Sequence, residues 1–123
     1  MSDRILYIDD EADIREVAEM ALELDPDFEV RTCGSGREGL AAAREWQPDL
    51  ILLDVMMPDL DGPAVLAQLR HEPATAAIPV VFITARTQAH EVERLRAMGA
   101  RGVLAKPFEA MTLAVQLREL LGG

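Results

Sequence analysis

The chain has 123 residues, half of them apolar, which is the size of one domain built on one core. Its 12 Lys and Arg against 22 Asp and Glu leave a net charge of −10, and with no basic run to neutralise a phosphate backbone, direct binding to nucleic acid is not expected. The N-terminus MSDRILYIDD has too few apolar residues ahead of its carboxylates for a secretion signal, and no stretch approaches the roughly 18 apolar residues of a membrane span, so a cytoplasmic chain is expected.

In chain order, short apolar runs rich in β-branched residues alternate with amphipathic stretches, the pattern of repeated β-α units around a parallel sheet. Strands are predicted at 5–8, 28–32, 50–53, 80–83 and 102–105. The third and fourth are apolar throughout, as expected when helices cover both faces of a strand. Between strands one and two, Ile14, Val17, Ala18, Ala21 and Leu22 recur at helical spacing. Cys33 closes the second strand; it has no partner for an internal disulfide and reads as a small buried hydrophobe.

Ser35 suits the N-cap of the second helix, and Pro63 after Asp61-Gly62 suits the first turn of the third, which continues through Leu66, Leu69 and Arg70. The fourth helix is marked by Val92, Leu95 and Met98. The last is predicted to start near Glu109 and to run through Leu113 and Leu117 to Leu120, where Gly122-Gly123 stops it. Trp46 reads as packing, and His71 and His90 as surface residues. With no internal repeat or linker, residues 1–123 form a single predicted domain of α/β class.

In a doubly wound sheet, ligands bind beyond the carboxyl ends of the strands. There strand one leads into Asp9-Asp10-Glu11, strand three into Asp54, strand four into Thr84 and strand five into Lys106. Taken singly these are ordinary: Asp9 and Asp10 serve equally as N-caps, and a strand-end Thr follows β-propensity. Lys106 stands out because it is the only lysine in the chain, the other 11 of the 12 basic residues being Arg. A compact ammonium on a flexible stem suits one anionic oxygen in a tight site. Clustered carboxylates repel one another and call for a cation, and an all-oxygen, partly hydrated site suits Mg2+, which makes Asp10 and Asp54 candidate metal ligands. With that charge neutralised, an Asp54 oxygen can attack phosphorus, while Lys106 and the Thr84 hydroxyl stabilise the phosphoryl oxygens. The loop after Asp54 is expected to leave it uncovered, with Gly62 permitting the turn into the third helix.

These residues lie in ILYIDDE (5–11), DLILLDVMMPDLDG (49–62), VVFITA (80–85) and GVLAKPF (102–108). Through them the chain resembles the response-regulator receiver family over nearly its whole length, most closely the stand-alone chemotaxis-type members. The separations of 44 residues from Asp10 to Asp54 and 22 from Thr84 to Lys106 are those of the family. The resemblance implies a flavodoxin-like, doubly wound parallel sheet of five strands in the order 2-1-3-4-5, with helices on both faces. It implies a two-component phosphorelay in which Asp54 accepts a phosphoryl group, with Mg2+, from a phosphohistidine or small phosphodonor. The phosphohistidine donor it implies is a histidine kinase or phosphotransfer protein.

The resemblance also makes Asp10 a direct metal ligand, Asp9 a ligand mainly through water, and Met56 a ligand through its backbone carbonyl. It implies catalytic roles for Asp54, Thr84 and Lys106, a cis Lys106-Pro107 bond, and a protein target at the face of helix four, strand five and helix five. One position departs from the family: three residues before the lysine, where many receivers carry a switching aromatic, this chain has Val103.

Three other functions fit parts of this pattern. An aspartyl-phosphate phosphatase needs an acid two residues after the nucleophile, where this chain has Met56. An FMN carrier needs a Ser, Thr and Gly-rich loop where Asp9-Asp10-Glu11 would repel phosphate. The alternative within the family is a degenerate receiver used as an interaction scaffold, which should have lost the acceptor or the lysine. The domain is therefore expected to catalyse only its own phosphorylation and dephosphorylation. The chain ends about where the fold ends, so output is expected through a partner; a receiver cut from a longer protein, with Gly122-Gly123 as hinge, fits equally.

Overall fold

Five parallel strands, β1 (Asp3–Ile8), β2 (Phe28–Cys33), β3 (Leu50–Asp54), β4 (Val80–Thr84) and β5 (Gly102–Ala105), lie in the order β2-β1-β3-β4-β5. They alternate with α1 (Ala12–Leu22), α2 (Gly36–Trp46), α3 (Gly62–His71), α4 (Ala89–Ala97) and α5 (Leu113–Gly122) in a computed structural model that describes residues 3–122. This is the flavodoxin-like doubly wound α/β fold. Gly123, read as part of the last helix stop, lies outside the described residues.

Every residue of β3 and β4 is buried, because side chains of successive residues point to opposite faces and both faces are covered. Leu6, Ile8, Ile51, Leu53, Val80 and Phe82 face α2, α3 and α4, packing with Leu40, Trp46, Leu66, Leu69 and Leu95. Ile5, Tyr7, Leu50, Leu52, Val81 and Ile83 face α1 and α5, packing with Ala18, Leu22, Leu113 and Leu117. Each fully buried aliphatic side chain contributes roughly 1.5–3 kcal/mol, so these two layers, rather than helix propensity, hold the sheet edge in place. Cys33 is buried as expected, and burial pushes its thiol above the usual range.

Local signals set most boundaries. Ser35 caps α2 by accepting from the Glu38 N–H at 3.1 Å, and Asp61 caps α3 by accepting from the Ala64 N–H at 2.9 Å. The last helix begins later than its periodicity suggests. Residues 109–112 form a turn closed by the Thr112 and Leu113 N–H groups on the Glu109 carbonyl, and regular helix starts at Leu113. Met111 stays exposed there while Leu113 is buried, so packing begins where the helix does. Arg118 ties α5 to β1 through Asp3 and to the connection between α1 and β2 through Asp25, with its guanidinium 4.4 Å over the Phe28 ring.

Candidate functional site

β1 sends its chain into α1 on one face, while β3 sends its chain into α3 on the other. Their ends are adjacent in the sheet, so a crevice opens between them at the carboxyl edge. Asp9, one residue past β1, and Asp54, the last of β3, sit in that crevice with exposures of 0% and 3%. Lys106, one residue past β5, reaches across to both. Its Nζ lies 2.9 Å from Asp9 Oδ2, 3.0 Å from Glu11 Oε1 and 3.3 Å from Asp54 Oδ2.

Three carboxylates thus face one ammonium, and their oxygens lie within 4.8 Å of one another. Burial raises the Asp54 carboxyl to about 6; the Asp9 carboxylate adds to the rise and Lys106 opposes it. Burial works against the Lys106 ammonium, but its bonds to Asp9 and Glu11 and the nearby charges outweigh that and hold its pKa above the usual lysine value. The surplus of negative charge is where a cation belongs. Hard carboxylate oxygens beside an open cleft of about 450 Å3 suit a hydrated divalent ion of the Mg2+ type.

The sequence-predicted residues do not all converge. Asp9, Asp54 and Lys106 touch, whereas Asp10 is exposed and outside the carboxylate trio, whose third member is Glu11. In the sequence Glu11 is only the third member of a strand-end acidic run. It occupies the N-cap position of α1 without a side-chain cap bond, which leaves its carboxylate free for Lys106. Met56 is 59% exposed and forms part of the cleft wall with Val17 and Phe108. Thr84 is buried, and its Oγ1 accepts from the Arg86 N–H at 3.0 Å; among the described hydrogen bonds it joins neither Asp54 nor Lys106. The Lys106-Pro107 bond is cis.

Asp54 is not an uncovered residue: its side chain is 4% exposed, at the floor of the cleft beneath Lys106, because β3 is central and Lys106 is drawn down by the carboxylates. Gly62 is not the turn residue either. Asp59 takes the left-handed conformation in that loop, at φ 67°. Gly62 is required because a Cβ there would lie 2.5 Å from the Asp54 carbonyl oxygen and 2.9 Å from Val55 Cα. The start of α3 is pressed directly against the backbone that carries Asp54.

Residues 5–118 match the response regulator receiver domain. The chain belongs to this family. The receiver is 38% identical over 118 residues to the DNA-binding dual master transcriptional regulator RpaA of Synechocystis sp., across 96% of this chain and 48% of that protein. It is 36% identical over 121 residues to the DNA-binding response regulator MtrA of Mycobacterium tuberculosis, across 98% of this chain and 51% of that protein. The receiver therefore spans about half the length of the curated relatives it matches. Among solved structures, chemotaxis response regulator CheY4 of Vibrio cholerae superposes with a TM-score of 0.89 at 32% identity, across 98% of this chain and 99% of that one. A response regulator from Desulfuromonas acetoxidans superposes with a TM-score of 0.86 at 28% identity, across 98% and 97%. As a receiver, the chain is a phosphoacceptor domain of two-component signalling, and the acidic pocket is the place where receivers bind Mg2+. No helix among the described residues is long and apolar enough to cross a membrane.

Proposed function

We propose that Asp54 accepts a phosphoryl group from the phosphohistidine of a histidine kinase or phosphotransfer protein, or from a small phosphodonor, in a Mg2+-dependent transfer. An Asp54 carboxylate oxygen forms the new bond to phosphorus as the P–N bond to the donor imidazole breaks, and the ring leaves with the bonding pair. The observation behind this is the contact of Lys106 with both Asp54 and Asp9 at the floor of an open cleft. Lys106 supplies positive charge where the phosphoryl oxygens arrive, and the Thr84 hydroxyl supplies a donor from the end of β4. Asp9, Asp10, Asp54 and the Met56 carbonyl are the residues proposed to hold Mg2+, which when bound offsets the charge of the cluster. Glu11, drawn into the cluster by Lys106, is a competing candidate for the place assigned to Asp10.

The domain turns over no separate substrate in this reading; it catalyses its own phosphorylation and dephosphorylation. Its output is a protein target at the face of α4, β5 and α5. A net charge of −10 favours a protein over a nucleic acid as the direct contact of this domain. RpaA and MtrA are named as DNA-binding regulators, and this chain matches only half of each. A lone buried Cys33 suits a reducing, cytoplasmic setting. The scaffold alternative is disfavoured because acceptor and lysine are both present and in contact.

The test is intact-mass spectrometry after incubation with a small phosphodonor and Mg2+. One added phosphoryl group is expected in the wild type and none in Asp54→Asn. Undiminished label in that variant would reassign the acceptor.

A further inference from the structure

Side chains two residues apart on β1 share a face, which brings Tyr7 under Asp9. The Tyr7 ring is fully buried in the layer with Ile5, Ala18, Leu52 and Leu113, and its hydroxyl donates to Asp9 Oδ2 at 2.8 Å. An apolar side chain would fill this place in the core with no hydroxyl to desolvate, so the phenol needs a partner there, and Asp9 is that partner. Three donors then converge on the Asp9 carboxylate. Tyr7 and Lys106 share Oδ2, and the Glu11 N–H donates to Oδ1 at 3.0 Å.

These donors differ in permanence. Lys106 divides its bonds among Asp9, Glu11 and Asp54, and its long stem can turn to another anion. The Tyr7 hydroxyl is fixed by a ring packed into the core. We propose that Tyr7 is the positioning residue of the acidic pocket, its hydroxyl holding the Asp9 carboxylate in the orientation a divalent cation needs once Lys106 turns to the phosphoryl group. The assignment rests on the phosphoacceptor reading above. With Lys106 withdrawn, Oδ2 of Asp9 keeps the phenol as its protein donor. Without the phenol, Oδ2 of Asp9 has no protein donor but Lys106, which then competes harder with the cation for it, and only the Glu11 N–H on Oδ1 still orients the carboxylate.

Tyr7→Phe removes the hydroxyl and keeps the ring. Calorimetric titration with MgCl2 alone is expected to show an affinity lower by roughly tenfold, the scale on which a lost partner of a metal ligand acts. An affinity equal to wild type overturns the assignment. Tyr7 is the chain's only tyrosine, so wild-type protein carrying 13C at tyrosine Cζ yields one NMR signal from it. That signal is expected to shift and to saturate along the Mg2+ titration; a signal unmoved at saturating Mg2+ overturns the assignment without relying on any variant to fold. If the wild type binds Mg2+ and takes a phosphoryl group on Asp54 while Tyr7→Phe titrates identically, the positioning role alone fails. If the wild type neither binds Mg2+ nor takes a phosphoryl group, the phosphoacceptor reading fails and the role of Tyr7 with it.

Discussion

Lys106 Nζ lies 3.3 Å from Asp54 Oδ2, a longer contact than the 2.9 Å bond it makes to Asp9 Oδ2. The ammonium is held chiefly by Asp9 and Glu11, and a small swing of its stem brings it over a phosphoryl group on Asp54. A guanidinium is larger, planar and unable to sit as a point charge among three carboxylates whose lysine is 14% exposed. Lys106→Arg is therefore expected to impair phosphorylation and partner response although it keeps the charge. Lys106→Ala, which removes the charge altogether, is expected to slow phosphorylation by roughly 100-fold. Rates of label uptake from a small phosphodonor measure both, and a wild-type rate in Lys106→Arg would contradict the argument.

The raised Asp54 carboxyl sets a pH dependence of stability in metal-free protein. The folded chain binds that proton more tightly than the unfolded chain, whose Asp titrates near 3.8, while the folded value is about 6. Stability from this group is complete below the unfolded value and is lost as the pH rises through about 6. The difference of about two units corresponds to about 3 kcal/mol. With EDTA present, Asp54→Asn should be the more stable protein at pH 8, by up to that amount, and the gap should close towards pH 4. Urea unfolding at the two pH values checks this; an equal gap at both would show that Asp54 does not carry the effect.

Much of this site was legible because it lies where strand runs stop. Asp54, Thr84 and Lys106 each follow an apolar β-branched segment, and a parallel sheet places all such ends on one edge. The role of Glu11 was hidden because a third acid after Asp9-Asp10 carries no periodic signal, and only the distance to Lys106 distinguishes it from its exposed neighbour Asp10. Period-two alternation puts Tyr7 on the face of Asp9, but a tyrosine inside a strand follows ordinary β-propensity, and nothing local in the sequence marks its hydroxyl as a partner of the pocket. α5 starts later than its periodicity predicts because Glu109 opens a turn with helix-type bonds, and the burial that marks the helix begins only at Leu113. The depth of Asp54 depends on Lys106 lying over it, a contact between residues 52 positions apart that no local pattern encodes.

Gly62 couples the start of α3 to the acceptor's own backbone. Its N–H donates to the Val55 carbonyl at 3.0 Å, and an added methyl would meet the Asp54 carbonyl oxygen at 2.5 Å. Backbone cannot yield as a flexible side chain does, so Gly62→Ala is expected to destabilise by about 1–3 kcal/mol, the usual range for overpacking. It should also slow phosphoryl uptake, because relief requires the segment bearing Asp54 to move. Urea unfolding with parallel uptake measurements tests this, and a variant with wild-type stability would show that α3 yields without strain.

Val103 is half-buried against the layer of α2, α3 and α4, and it pairs with Phe82 across β4 and β5. A valine is stiff at χ1 and has no ring to move between buried and exposed states, so a large rotamer switch is not available at this position. The Thr84 hydroxyl offers another route. It now accepts the Arg86 N–H at 3.0 Å, which pins the first turn of the loop between β4 and α4. When Thr84 turns to donate to a phosphoryl oxygen, that N–H loses its acceptor geometry, and residues 85–88 must rearrange to satisfy it. The loop leads straight into α4 at Ala89, whose single fully buried residue, Leu95, anchors it lightly. Phosphorylation is thus expected to shift α4 and to alter the face it forms with β5 and α5. With beryllofluoride and Mg2+ as phosphoryl mimic, amide shifts should extend from Thr84 through residues 85–88 into α4 and reach the Val103 methyls. In Thr84→Val the mimic should still bind at Asp54 while the α4 shifts are lost. Shifts confined to residues touching Asp54 in the wild type, or α4 shifts undiminished in Thr84→Val, would show that the signal does not travel through this hydroxyl.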